Sequence, residues 1–127
     1  MTQEEFIEVL KEWGYSYEIE GDKIIVTYGG WVDLSGLKTL PPGVHFKNGG
    51  NVYLGSLRTL PPDVHFKNKG SVWLESLETI PPGVHFENGG DVKIKGLEWV
   101  DDNEGIRIEG VENKRLLNLM ISKGVFI

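Results

Sequence analysis

The chain has 127 residues, a formal net charge of −6, 17 glycines and no cysteine. That length gives a single domain over 1–127 with a modest core, and the missing cysteines exclude disulfide staples and thiolate metal sites. No stretch resembles a signal peptide or a membrane-spanning helix, so the sequence predicts a cytoplasmic protein with no membrane partner. The charge is segregated: residues 1–22 hold seven acids against one base, whereas residues 23–97 hold six acids against eight bases. The overall sign disfavours a nucleic-acid binder that works through broad phosphate contacts.

Residues 1–29 read as an N-terminal cap. Thr2 and Glu5 have capping-box spacing, and Phe6, Val9, Leu10 and Trp13 recur on one helical face before Gly14, which predicts a helix over 3–13. Tyr15, Tyr17 and Ile19 then alternate with polar residues, Gly21-Asp22 marks a turn, and Lys23 to Tyr28 form a second extended run. Matching Gly29-Gly30 to Gly49-Gly50 sets Ile24 and Val26 on the positions of Val44 and Phe46, so this run is a degenerate half-rung.

Residues 30–97 are built on a 20-residue period, first as Gly30-Trp-Val-Asp-Leu-Ser-Gly-Leu-Lys-Thr-Leu-Pro-Pro-Gly-Val-His-Phe-Lys-Asn-Gly49 and then from Gly50 and Gly70. A fixed period of this length is the signature of stacked units that must cover one another's apolar sides. Val-x-Leu and Val-x-Phe alternate within each copy, giving two short strands per rung with one face buried. The Pro-Pro pairs interrupt any helix, and Gly30, Gly50, Gly70 and Gly90 are expected to hold positive φ. Asn48, Asn68 and Asn88 are expected to close turns and to form a ladder between rungs. The predicted fold is therefore mainly β: a short β-solenoid of about four 20-residue rungs, capped by an N-terminal and a C-terminal α-helix. An antiparallel β-meander is the alternative, because Asn-Gly between alternating strands is also a hairpin signal.

Residues 98–127 depart from the repeat. The Pro-Pro turn is replaced over 98–105, a strand signal returns at Ile106-Arg-Ile108, and Asn113 is placed to cap a helix carrying Leu116, Leu117, Met120 and Ile121 up to Gly124. This segment reads as a modified last rung and a helical cap.

Stacking turns sequence positions into columns. His45, His65 and His85 lie between inward Val and Phe, so they are expected to face outward, beside Lys47 and Lys67, as an anion-holding or pH-sensitive ladder. A metal is not expected there, because a straight ladder at strand spacing fits tetrahedral geometry poorly. The other outer face carries Trp31, Asp33, Tyr53 and Trp73, and clustered outward aromatics are the expected partner-binding surface. The competing expectation is that the N-terminal helix, through Phe6 and Trp13, folds over this strip. Catalytic motifs are absent from the sequence, so neither an enzyme nor a cofactor is expected.

The rung Val-x-Leu-x-Ser-Leu-x-Thr-Leu-Pro-Pro-x-Val-x-Phe-x-Asn-x-Gly and the closing Ile108-Glu-Gly-Val-x-x-Lys-Arg-Leu-Leu-Asn-Leu-Met-Ile-Ser-Lys-Gly-Val-Phe126 resemble small tandem-repeat proteins of bacteria and their phages. The resemblance covers residues 23–127 and is loosely leucine-rich-repeat-like, although the asparagine is out of the leucine-rich frame. It implies an accessory protein, and for an acidic phage-type protein an inhibitor of a bacterial defence enzyme such as a CRISPR nuclease. The expected function is thus a non-enzymatic protein-binding module. Carbohydrate binding through the aromatics and a self-assembling structural protein are the alternatives, with a dimer through a sheet edge or terminal rung left open.

Overall fold

In the computed structural model, which describes residues 1–94, 106–108 and 110–124, the repeats wind as a β-solenoid. The chain order is α1 (Gln3–Trp13), β1 (Tyr17–Glu20), β2 (Lys23–Val26), β3 (Val32–Asp33), β4 (Val44–Phe46), β5 (Val52–Tyr53), β6 (His65–Phe66), β7 (Val72–Leu74), β8 (His85–Phe86), β9 (Val92–Ile94), β10 (Ile106–Ile108) and α2 (Gly110–Ser122). Two five-stranded sheets result, in the orders β1-β2-β4-β6-β8 and β10-β9-β7-β5-β3. Repeats pair in parallel and in register, Val52 on Val72 and Phe46 on Phe66, and Ile24 and Val26 align with Val44 and Phe46. A meander would pair successive strands antiparallel, and among the described residues that occurs only at the ends, in β1·β2 and β9·β10. The return strand at Ile106–Ile108 therefore does not complete a rung in the first sheet; it folds back on β9 as a hairpin.

The core lies between the sheets. Valines and leucines of every rung are buried, and Phe46, Phe66 and Phe86 stack with ring centroids 5.2 and 4.9 Å apart. At the N-terminal end α1 closes the solenoid with Phe6 and Leu10 in this core, held by the Thr2 capping box and ended by Gly14 at φ 75°. At the other end α2 inserts Leu117 and Ile121. Asn113 lies inside α2 rather than capping it, because the helix begins at Gly110, two residues after β10. The substituted turn at 98–105 and the last residues 125–127 fall outside the described residues.

A solenoid of parallel strands leaves sheet edges that could recruit further strands. Two of them are closed by side chains. The Asp33 amide of edge strand β3 donates to the Tyr15 hydroxyl at 3.1 Å. On β8, Asn118 of α2 imitates a neighbouring strand: its Oδ1 accepts from the Phe86 amide at 2.8 Å and its Nδ2 donates to the Phe86 carbonyl at 2.9 Å.

The turn chemistry differs from the sequence expectation. Gly30, Gly50, Gly70 and Gly90 do not have positive φ; the last three are glycines because successive rungs touch there. A Cβ on Gly50 would lie 2.7 Å from the Trp31 nitrogen, and one on Gly70 would lie 2.2 Å from Asn51 Oδ1. Positive φ falls instead after each Pro-Pro pair, at Gly43 (82°), Asp63 (64°) and Gly83 (95°). Asp63 is the one L-residue in that column, and a left-handed conformation costs an L-residue about 1 kcal/mol or slightly less for aspartate. Asp63→Gly is therefore expected to raise the urea midpoint, with a gain of about 0.5–1 kcal/mol; an unchanged or lower midpoint would contradict this assignment.

The asparagine ladder faces inward. Asn68 Nδ2 donates to the carbonyls of Gly50, Gly70 and Ser71 at 3.0, 3.2 and 3.2 Å, and Asn48 repeats the pattern one rung earlier with Gly30, Gly50 and Asn51. One amide thus ties two rungs and closes its own turn. Each Nδ2 has two hydrogens for three acceptors, so the bonds are shared.

Candidate functional site

The two outer faces differ in kind. On the second sheet, strand alternation sends Val52 and Leu54 inward and Tyr53 outward, and the parallel register stacks Asp33, Tyr53, Trp73 and Lys93 in one column. Trp31 heads the adjacent column, which continues through Asn51, Ser71 and Asp91. Trp31 meets Tyr53 edge-on, with centroids 6.0 Å apart and planes at 85°, and Tyr53 stacks on Trp73 at 6.2 Å and 22°. Lys93 Nζ lies over the Trp73 ring, 5.0 Å from its centroid. The three aromatics are a continuous row.

This row is not covered by α1. Phe6, expected to help hide the strip, is buried in the solenoid core, and Trp13 is 66% exposed. Trp31 is 59% exposed, while Tyr53 and Trp73 are half-buried by their neighbours in the row. The support beneath is ordered by further rung-to-rung bonds: Asn51 Oδ1 accepts from the Ser71 amide at 2.8 Å, and Ser71 Oγ accepts from the Asp91 amide at 3.1 Å. Asn51 Nδ2 also donates to the Tyr53 hydroxyl at 2.9 Å, fixing that ring.

Sequence reasoning missed how the aromatic surface continues toward the N-terminal cap. Tyr15 and Tyr28 pack with centroids 5.1 Å apart, and Tyr15 reaches Asp33 through its hydroxyl. The signal was present in the break of the asparagine column, where Tyr28 stands in the position of Asn48, Asn68 and Asn88.

The first sheet's outer face carries the histidines. His45 and His65 stack at 4.4 Å with planes 8° apart, and His65 and His85 at 4.8 Å and 19°. The expectation of a fully outward ladder needs correction: His45 is only 9% exposed, and the other two are half-buried. Alternation sets the direction of a side chain, but rings stacked at rung spacing hide one another's faces. Burial pushes His45 and His65 below the usual imidazole range, and the neighbouring histidine and lysine charges push the same way.

A groove of about 620 Å³ runs along this face, lined in part by His45, His65, Lys23 and Lys67. Glu20, Asp22 and Asp63 also line it, so its charge is mixed rather than basic. Lys67 pairs with Glu87 at 4.0 Å at the surface, and Lys47 stands exposed beside the row. Among the described residues no group of three His, Asp or Glu side chains is placed to hold a metal ion.

The lowered imidazole values fix the sign of a pH effect. Unfolded histidines titrate near 6.5, whereas the folded His45 and His65 hold protons less well, so the folded state loses stability as pH falls below about 6.5. Lys23, Lys47 and Lys67 reinforce this trend, and Glu87 and Asp63 oppose it at His65. The thermal midpoint is expected to drop between pH 7.5 and 5.5, and a His45→Gln, His65→Gln variant should show a smaller drop. An equal drop in both proteins would place the effect elsewhere.

Among the described residues no helix is long and apolar enough to cross a membrane. No protein-family model, curated protein or solved structure matches the chain, so its functional reading rests on these two faces.

Proposed function

We propose that this chain is a non-enzymatic protein-binding module that docks its partner on the outer face of the second sheet. The observation that carries the reading is the continuous row Trp31, Tyr53 and Trp73, set on a rigid ladder and headed by an indole 59% exposed. Large aromatics held in place lose little side-chain entropy on burial and dominate protein interfaces. A sugar-binding platform is less well supported, because a strip that stacks along a glycan needs its open ring faces in one plane. Tyr53 stacks on one side of Trp73 and Lys93 lies over its ring, while Trp31 stands at 85° to Tyr53. The histidines stack on one another instead of on a carboxylate or nucleophile, which supports a non-catalytic role.

The partner class implied by the resemblance to phage-type repeat proteins, a bacterial defence enzyme such as a CRISPR nuclease, is the first to assay. The test compares the chain with a Trp31→Ala, Tyr53→Ala, Trp73→Ala variant, shown to be folded by circular dichroism, in affinity capture and titration. Loss of hot-spot aromatics costs about 2–4 kcal/mol, so the variant is expected to bind at least about twenty-fivefold more weakly, by about 1.4 kcal/mol per tenfold. A partner held equally well by the variant would remove the strip from the interface.

A further inference from the structure

We infer that the Trp31 end of the strip is a receptor for an arginine side chain on a basic partner. This rests on the protein-binding reading and adds the partner's chemistry to it. Trp31 and Asp33 are two residues apart on an extended segment, so both stand on the same outer face, roughly 6–7 Å apart along the strand. Trp31 is 59% exposed, and among the described residues no cation lies over its indole. The opposite end of the row is occupied differently, since Lys93 of the chain itself lies over Trp73.

Asp33 is exposed yet held in place. Its Oδ1 accepts from the Ser35 amide at 3.0 Å and from the Ser35 hydroxyl, and its own amide is fixed on Tyr15. No hydrogen bond engages its Oδ2 among the described residues, so a carboxylate oxygen is oriented and open beside the indole. The surrounding charge selects the partner's sign. Residues 1–22, with seven acids against one base, pack on the first rung through Gln3 to the Pro42 carbonyl and Tyr15 to Asp33. Such a field draws a basic surface to this end. Arginine fits better than lysine, because a planar guanidinium stacks on an indole while donating in its plane to a carboxylate.

The test is a two-dimensional ¹⁵N NMR titration of the full chain with acetylated, amidated hexa-arginine and, separately, hexalysine, which match in charge. Hexa-arginine is expected to shift the Trp31 indole and Asp33 amide signals and to bind at least threefold more tightly than hexalysine. Asp33→Asn keeps an acceptor for Ser35 while removing the charge and turning the open acceptor into an amide donor; it and Trp31→Leu should each weaken hexa-arginine at least threefold, with the remaining spectrum unchanged. Equal binding of the two peptides, or shifts confined to the α1 acids, would reduce the effect to general attraction and overturn the proposal. Shifts at Trp31 and Asp33 that follow protein concentration alone, with no response to peptide, would assign the surface to a second copy and also overturn it. Either failure leaves the protein-binding reading standing if the triple-alanine variant still loses its partner.

Discussion

Asn68→Asp is expected to destabilise the folded chain at pH 7 by about 3–5 kcal/mol, the range for a buried charge left without a partner. The substitution is nearly isosteric, so the effect is electrostatic. Asn68 is 1% exposed, and its Nδ2 faces the carbonyl oxygens of Gly50, Gly70 and Ser71 at 3.0–3.2 Å. A carboxylate in that position offers only acceptors to three acceptors. Asn68→Ala should cost less, about 1–3 kcal/mol, for two reasons. The three carbonyls keep backbone donors, from Gly70, Gly90 and Val52, and the alanine also removes the buried Oδ1, which has no hydrogen-bond partner among the described residues. The aspartate penalty should shrink as pH falls, because burial among carbonyls raises the folded carboxyl pKa above its unfolded value and protonation restores a donor. Urea denaturation at pH 7 and pH 5 measures both; an aspartate no worse than alanine at pH 7 would show that the ladder does not tie the rungs.

Phe66→Ala is expected to cost a further-reaching 3–5 kcal/mol, roughly the value for removing a buried aromatic whose site cannot collapse. Phe66 is fully buried, with Phe46 and Phe86 stacked on its two sides at 5.2 and 4.9 Å. Its neighbours in the column belong to other rungs, and those rungs are held at strand spacing by backbone hydrogen bonds, so neither ring can move in to fill the gap. Phe66→Leu keeps most of the volume and should cost less than half as much. The same two variants measured by urea denaturation decide the point: equal losses would mean that the cavity is not what matters.

Much of the fold was legible because a repeat reports its own geometry. The 20-residue period and the alternation Val52, Leu54 and Val64, Phe66 specify parallel stacking with one face buried, and the match of Ile24 and Val26 to Val44 and Phe46 extends it to the half-rung. The glycine column was misread for a physical reason. Glycine is required both where φ is positive and where two backbones touch, and sequence alone does not separate these uses. Gly50 and Gly70 serve close approach, while the positive φ at position 63 is carried by an aspartate, which concealed the need. The edge plug Asn118 and the hairpin return of β10 were also beyond reach, because both depend on where the last rung ends in space. For the candidate site, alternation gave the outward direction of Trp31, Tyr53 and Trp73. It did not show that α1 would spend Phe6 on the core rather than on the strip, nor that the histidine column would bury itself by stacking.

Under the proposed function the partner is met by the second sheet's aromatic face and not by the histidine face. Site-specific photo-crosslinking tests this most directly, with a benzophenone-bearing residue replacing Tyr53 in one protein and Lys47, exposed on the opposite sheet, in another. An adduct with the partner from position 53 and none from position 47 is the predicted result. An adduct from position 47 alone would overturn that reading and move the interface to the histidine face.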